Sequence, residues 1–252
     1  MSDGHVLSSI DGGIGQIRFF HPKKNALPAS ILALLAEAID KMGKNDDARL
    51  IVLGSEGDGP FCAGASFDEL MAIKNESQGK EFFMGFARLI LAMKNCPKFI
   101  IARIHGKAVG GGVGVAAAAD YSLARTISDI KLSELSLGIG PFVVGPAVER
   151  KLGFGNFHAM SIDADWRSAN WAKQNGLYVE TYETISDLHS AVNQFSDKLV
   201  KLSPQAMKEL KKANWSGTEH WDKLLEERAE ISGRLVLSDF TKAFIKQFKE
   251  RE

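Results

Sequence analysis

At 252 residues, with 45% hydrophobic and 25% charged residues, the chain has the make-up of an ordinary globular protein able to bury a sizeable core. Its 31 basic and 31 acidic residues cancel, which argues against a partner recognised by bulk charge, whether nucleic acid or an anionic membrane. Two cysteines, Cys62 and Cys96, provide no disulfide framework and fit a reducing compartment.

The first residues carry neither a basic nor an apolar leader pattern. The one long apolar stretch is interrupted by Arg103, His105 and Lys107. No membrane span is therefore expected, and a cytoplasmic location is. Residues 6–10 and 14–20 flank Asp11-Gly12-Gly13, a signal for a two-strand hairpin. In the polar loop 21–25, Lys23 and Lys24 are candidates to meet a ligand phosphate or simply solvent. Pro28 is expected in the first turn of a helix whose apolar residues Ile31, Leu34, Leu35, Ala38, Ile39 and Met42 repeat at helical spacing. Residues 49–53 read as a buried strand. Ser66 followed by Glu69 is a capping-box pattern, which places a helix start directly after Ala65. A nucleophile at Ser66 is disfavoured, because Asp68 stands where a nucleophile elbow needs glycine. Residues 81–95, with Phe82, Phe83, Phe86, Leu89 and Ile90, predict a helix whose broad apolar face serves the core or lines a ligand pocket.

The most informative stretch follows. A β-branched run over 99–104 breaks at Gly106, then passes through Gly110, Gly111 and Gly112 into Val113-Gly114-Val115 and four alanines. Glycines let backbone N–H groups approach a ligand, and a helix start presents unpaired N–H groups and a positive dipole end. Such a place suits an anion, standing or developing during a reaction, although a plain strand-to-helix crossover would use the same residues. With the helix start near Ala65, two such devices are available to converge on one oxygen atom. Glu134 sits amid apolar neighbours in a strand-like run before the turn of Gly140, Pro141 and Phe142. A carboxylate there is costly to bury unless it is paired or its raised pKa is useful, and by itself it also fits an exposed strand residue. His105 and His158 lack metal-ligand spacing, so no metal site is expected and His105 reads as a structural residue at a strand end. From residue 188 the pattern is helical: 188–202, a helix opened by Ser203-Pro204, then 219–236 and 240–248. Trp215, Trp221, Leu225 and Val236 supply more apolar surface than a peripheral tail needs, which packing on the core plus a subunit interface would absorb.

Together, Phe61-Cys62-Ala63-Gly64-Ala65, the run from His105 through Gly110-Gly111-Gly112 to Asp120, and Glu134 ahead of Leu137-Gly138 resemble the crotonase (enoyl-CoA hydratase/isomerase) superfamily. A weaker likeness continues through 169–177. The resemblance implies an α/β fold, a crotonase-like spiral of ββα units with a helical C-terminal trimerisation region. Residues 1–190 would form the acyl-CoA-binding core, and 191–252 the region that builds a homotrimer or dimer of trimers. It implies an acyl-CoA substrate, with the coenzyme A thioester as substrate rather than cofactor. It also implies an oxyanion hole of the Ala65 and Gly111 amides and CoA contacts at Lys23, Lys24, Ala26, Ala63 and Ala65. Phe67, Phe86, Pro141 and Phe142 would line the acyl pocket, and Glu134 would be the catalytic acid–base.

Two departures from the family pattern matter. Ser66 replaces a common Asp and still caps a helix. Gly114 stands where hydratases carry the first of two glutamates. One carboxylate suffices to move a proton between two carbons of a dienolate, which favours Δ3-Δ2 isomerisation. A hydratase with its second acid elsewhere (Asp163, Asp165 or an acid after Ser66) and a CoA-ester decarboxylase stay open. So does a non-catalytic member that binds CoA esters or a protein. From another class, Gly112-x-Gly114-x-x-Ala117 after a strand, with Asp129 at a tolerable distance, fits a dinucleotide-binding dehydrogenase only weakly.

Overall fold

Asp11 and Ile14 pair across Gly12 (φ 54°) and Gly13 (φ 83°), closing the antiparallel hairpin of β1 (His5–Asp11) and β2 (Ile14–Phe20) as the sequence predicts. A computed structural model of the chain describes residues 4–249, so the outermost residues of both expected regions lie outside the described ones. Every further strand of this sheet joins in parallel: β3 (Leu50–Ser55), β4 (Ile100–Ile104), β6 (Tyr121–Arg125) and β8 (Glu180–Tyr182), in the order β1-β2-β3-β4-β6-β8. The short strands β5 (Ala108–Val109) and β7 (Ile130–Lys131) pair with each other beside it. The crossovers are helical: α1 (Ala29–Lys44), α2 (Phe67–Ala72), α3 (Glu76–Asn95), α4 (Gly111–Ala118), α5 (Gly145–Asp163) and α6 (Ala169–Gln174). Four helices finish the chain: α7 (Ile185–Leu199), α8 (Pro204–Asn214), α9 (Trp221–Leu235) and α10 (Asp239–Lys249). Among the described residues no helix is long and apolar enough to cross a membrane.

Strand alternation divides the sheet between two cores. Ile17, Phe19, Ile51, Leu53, Ala102 and Ile104 point into the larger one, with α1 and α3. Leu50, Val52, Ile101 and Leu123 face the smaller one, closed by Leu188 and Val192 of α7 and Met207 of α8.

Local signals mostly translate into the expected elements. Ser66 caps α2, its hydroxyl accepting from the Glu69 amide at 3.4 Å. α1 starts one residue later than expected, with Pro28 as its N-cap; Leu34 is 44% exposed and Leu32 takes its place in the core. α3 starts at Glu76 rather than 81 because Asn75 caps it, accepting from the Gln78 amide at 2.9 Å. The larger correction concerns Glu134, which is not in a strand. It has helical dihedrals (φ −63°, ψ −38°) and leads a 3-10 turn, Leu135–Leu137, that ends at left-handed Gly138. The Leu137 and Ile139 amides return to the Glu134 carbonyl at 3.1 and 3.0 Å, so the turn satisfies locally what a strand would have left for a neighbour.

The apolar surface of the C-terminal helices is largely spent within the chain: Trp215, Trp221, Leu225 and Val236 are buried in the larger core. α9 lies backbone to backbone on α3, where a Cβ on Gly79 would come within 2.5 Å of the Gly233 carbonyl oxygen. α8 is held by a charge the sequence did not single out. Lys211 is 2% exposed; its ammonium donates to the carbonyls of Met93 (2.9 Å) and Lys98 (2.8 Å) and to Asp120 Oδ2 (2.8 Å). Asp120 also accepts from the Trp215 indole at 2.9 Å and the Ile100 amide at 2.7 Å. All three ammonium donors and both carboxylate oxygens are engaged. Lys211→Met removes one partner of this buried pair and should destabilise the protein by about 3–5 kcal/mol, read as a lower denaturation midpoint in urea.

Candidate functional site

Two segments distant in sequence lie side by side. The Cys62 amide donates to the Lys107 carbonyl at 3.2 Å and the Val109 amide to the Cys62 carbonyl at 2.9 Å, forming a short parallel bridge between Cys62 and Ala108. On the outer side, loop 23–27 adds further rungs: Ala63 to the Lys24 carbonyl at 3.2 Å, and Leu27 to the Gly64 carbonyl at 2.8 Å. Lys23, Lys24, Ala26, Ala63 and Ala65 are thereby gathered on adjoining strands of chain. Lys23 is ion-paired with Asp68, and Ala26 is buried. Gly64 (φ 92°) turns the chain tightly against the start of α4: a Cβ there would stand 3.0 Å from the Val109 carbonyl oxygen and 3.8 Å from the Gly111 nitrogen. Gly110 (φ 52°, ψ −114°) makes the turn from β5 into α4, a conformation only glycine adopts readily. Its own amide donates to the Lys131 carbonyl at 2.8 Å. The Ala65 and Gly111 amides, next along each segment, donate to no acceptor among the described residues.

Glu134 reaches the same place from the turn after β7. A Cβ on Gly110 would lie 3.0 Å from its Oε1, while Oε2 is buried with no hydrogen-bond partner. Burial pushes this carboxyl up to about 7, against a weaker downward pull from the backbone amides of Glu134 and Ser133. Such a group is near half-charged at neutral pH and suited to both accepting and returning a proton. The Phe86 ring packs on Gly111, where a Cβ would meet its Cε1 at 2.2 Å. Phe67 opens α2, half-buried. Pro141 is buried and Phe142 half-buried in the bend after the Glu134 turn, and Pro146 rather than Pro141 stands at the start of α5. α10 touches both α2 and the turn carrying Glu134, with Phe240 and Thr241 packed on Gly138, a neighbour no sequence motif announced.

The place of a second acid is filled. A Cβ on Gly114 would lie 2.5 Å from Val144 Cγ1 and 2.7 Å from Val144 Cβ. The other acids considered are occupied or exposed: Asp163 pairs with Arg167, Asp68 with Lys23, Glu69 accepts the Ala29 amide at 2.7 Å, and Asp165 is exposed. The dinucleotide motif also fails. Gly112 and Gly114 both lie inside α4, packed against Cys62 and Val144, so they form no phosphate turn between strand and helix. His105 is not in this site and lines a different cavity. Among the described residues no group of three His, Cys, Asp or Glu side chains is placed to hold a metal ion.

Comparison with known proteins agrees with this architecture. An enoyl-CoA hydratase from Bacillus halodurans superposes with a TM-score of 0.88 over 96% of this chain and 99% of its own, at 22% identity, a likeness of fold. The model of the enoyl-CoA hydratase/isomerase family matches residues 9–251, and the chain belongs to that family. Its sheet, crossovers and C-terminal helices are the crotonase-type fold that the resemblance implied. A mitochondrial methylglutaconyl-CoA hydratase of Mus musculus is 30% identical over 183 residues, 72% of this chain and 58% of the relative. An ethylmalonyl-CoA decarboxylase of Xenopus tropicalis is 30% identical over 158 residues, 62% of this chain and 52% of the relative.

The contact between Gly114 and Val144 is directly testable. Gly114→Ala should cost about 1–3 kcal/mol through overpacking, and adding Val144→Ala should restore much of the loss, as thermal melts of the single and double variants would report.

Proposed function

We propose that the protein is an acyl-CoA enzyme that moves one proton along a thioester-stabilised enolate, with Δ3-Δ2 isomerisation of an enoyl-CoA as its favoured reaction. In this reading the CoA portion lies along Lys23, Lys24, Ala26, Ala63 and Ala65. The thioester oxygen sits between the Ala65 and Gly111 amides. One such donor typically contributes about 2.7–4 kcal/mol to the transition state. The acyl chain runs toward Phe67, Phe86, Pro141 and Phe142. As a carboxylate, Glu134 takes a proton from the α-carbon; the electron pair delocalises onto the thioester oxygen, and the γ-carbon receives the same proton as the double bond moves into conjugation.

The observation that carries the reading is the unpartnered, buried Oε2 of Glu134 beside Gly110. Hydration asks for one group to manage water and a proton source for the α-carbon, and Val144 occupies the space that a side chain at position 114 would need. A second reading is favoured by the Xenopus decarboxylase relative. There a carboxylate on the α-carbon leaves as CO2, its electron pair forms the enolate, and protonated Glu134 delivers the proton to carbon. Assembly into a homotrimer or dimer of trimers through the C-terminal helices, and a cytoplasmic location, belong to the same proposal.

The test is a parallel assay of a 3-enoyl-CoA, a 2-enoyl-CoA and an alkylmalonyl-CoA. Conversion of the 3-enoyl ester should dominate. Glu134→Gln should lower kcat by about 10²–10⁴-fold while CoA-ester affinity stays nearly constant. An active Glu134→Gln protein, or turnover of none of the three esters, would sink the proposal.

The pH profile separates the two reactions. Isomerisation starts from the carboxylate, so kcat/KM should fall about tenfold per pH unit below 7 and level off above it. Decarboxylation limited by proton delivery from Glu134 should instead decline above that value.

A further inference from the structure

On the sheet face turned toward α7, the apolar pattern gives way to a basic one at the carboxyl ends of the strands. Arg18, Gly54, Arg103 and Leu123 stand in register across β2, β3, β4 and β6, and Arg125 follows two residues beyond Leu123 on the same face. Because Gly54 has no side chain, Arg103 lies across it; a Cβ there would be 3.1 Å from the Arg103 Nε. These arginines, with Ser55, His105 and His189, line a cavity of about 330 Å³. The crevice outside the carboxyl ends of parallel strands is where α/β sheets commonly take ligands.

The polar atoms around this cavity are unusually unsatisfied. Arg125 Nε and both ring nitrogens of His105 are buried without a hydrogen-bond partner. A folded chain seldom leaves three such atoms beside one space unless something polar fills it. The arginines are also held in place. Arg103 donates to the Ser55 carbonyl at 2.9 Å and to His189 Nε2, and Arg125 donates to the Glu183 carbonyl at 3.1 Å.

Charge at the cavity favours an anion. Glu56 pairs with His5 at 2.9 Å and Arg18 at 3.6 Å, which leaves Arg103 and Arg125 against Asp58 on the wall. His105 is neutral at pH 7: burial pushes it down to about 4, with Arg103 and Arg125 adding to the effect and Asp58 and the Gly59 backbone pulling weakly the other way. A neutral imidazole offers one donor and one acceptor, and His189, accepting from Arg103, is also uncharged.

We propose that this cavity is a phosphoryl-binding site, separate from the thioester site, in which Arg103 and Arg125 grip the oxyanion while His105 donates to it. Forked guanidinium groups match the geometry of phosphate oxygens. The volume exceeds that of a lone phosphate, so the ligand is either free phosphate or the phosphate of a small monoester.

Calorimetric titration of the full chain with inorganic phosphate and, separately, with glycerol 3-phosphate, at constant ionic strength, tests this. Either probe should bind saturably at one site per chain, and preference for the ester would identify a substituent as part of the ligand. Arg103→Gln and Arg125→Gln should each weaken binding about tenfold or more, the effect of losing a charge-assisted hydrogen bond. Should a variant misfold by circular dichroism, the wild-type protein supplies the second measurement: phosphate should protect Arg103 and Arg125 from phenylglyoxal, as read by peptide mass spectrometry. No saturable binding of either probe, undiminished binding in both folded variants, or absence of protection would overturn the proposal. Displacement of phosphate by CoA would do so too, since the cavity would then belong to the thioester site.

Discussion

Two main-chain hydrogen bonds, Cys62 to Lys107 and Val109 to Cys62, govern how the rest of the site can be built. Each contributes modestly to stability, about 1 kcal/mol net, but together they set the register of two segments that share no sequence neighbourhood. Once that register is set, the amides of Cys62, Ala63, Val109 and Gly110 are spent on partners, and those of Ala65 and Gly111 are not. The same closeness dictates side-chain size. A Cβ on Gly112 would lie 2.7 Å from Cys62 Cβ, and one on Gly111 would run into Phe86. The glycine run is thus where backbone, ring and bridge all meet.

Two largely buried carboxylates, Asp120 and Glu134, illustrate opposite solutions to burial. Asp120 is surrounded by Lys211, the Trp215 indole and the Ile100 amide, and its charge becomes a fastening between α8 and the sheet. Glu134 keeps one oxygen without any partner, and burial holds its proton more tightly than water would. The unpaired oxygen of Glu134 is what the proposed proton transfer draws on, while the fully paired Asp120 contributes to stability.

The sheet carries different demands on its two faces. Toward α1 and α3 its side chains are mostly apolar and support the segments that form the site. Toward α7 the apolar positions stop short of the strand ends, and arginines continue the alternation. Arg103 and His105 occupy the same alternating face as Ile101, so one strand passes from core to cavity wall within a few residues.

Much was legible from local chemistry. The Gly12-Gly13 turn, the Ser66 cap, strand β3 and the glycine entry into α4 each depend on residues within a few positions of one another, and each formed. The Glu134 segment was misread because a short apolar run carries no decisive period, and the return of the Ile139 amide to Glu134 selected a turn. Nothing near His105 along the chain announces the cavity it lines with Arg103 and Arg125.

By itself, then, the sequence determined the strands, caps, turns and family motifs, since torsional preference and alternation act between near neighbours. Tertiary structure decided which polar groups found partners and which were left without: Lys211 met Asp120, Val144 closed over Gly114, and Glu134 and His105 were stranded. The physical reason is that hydrogen bonds and steric contacts act over a few ångströms, and those distances exist only once segments tens of residues apart have packed.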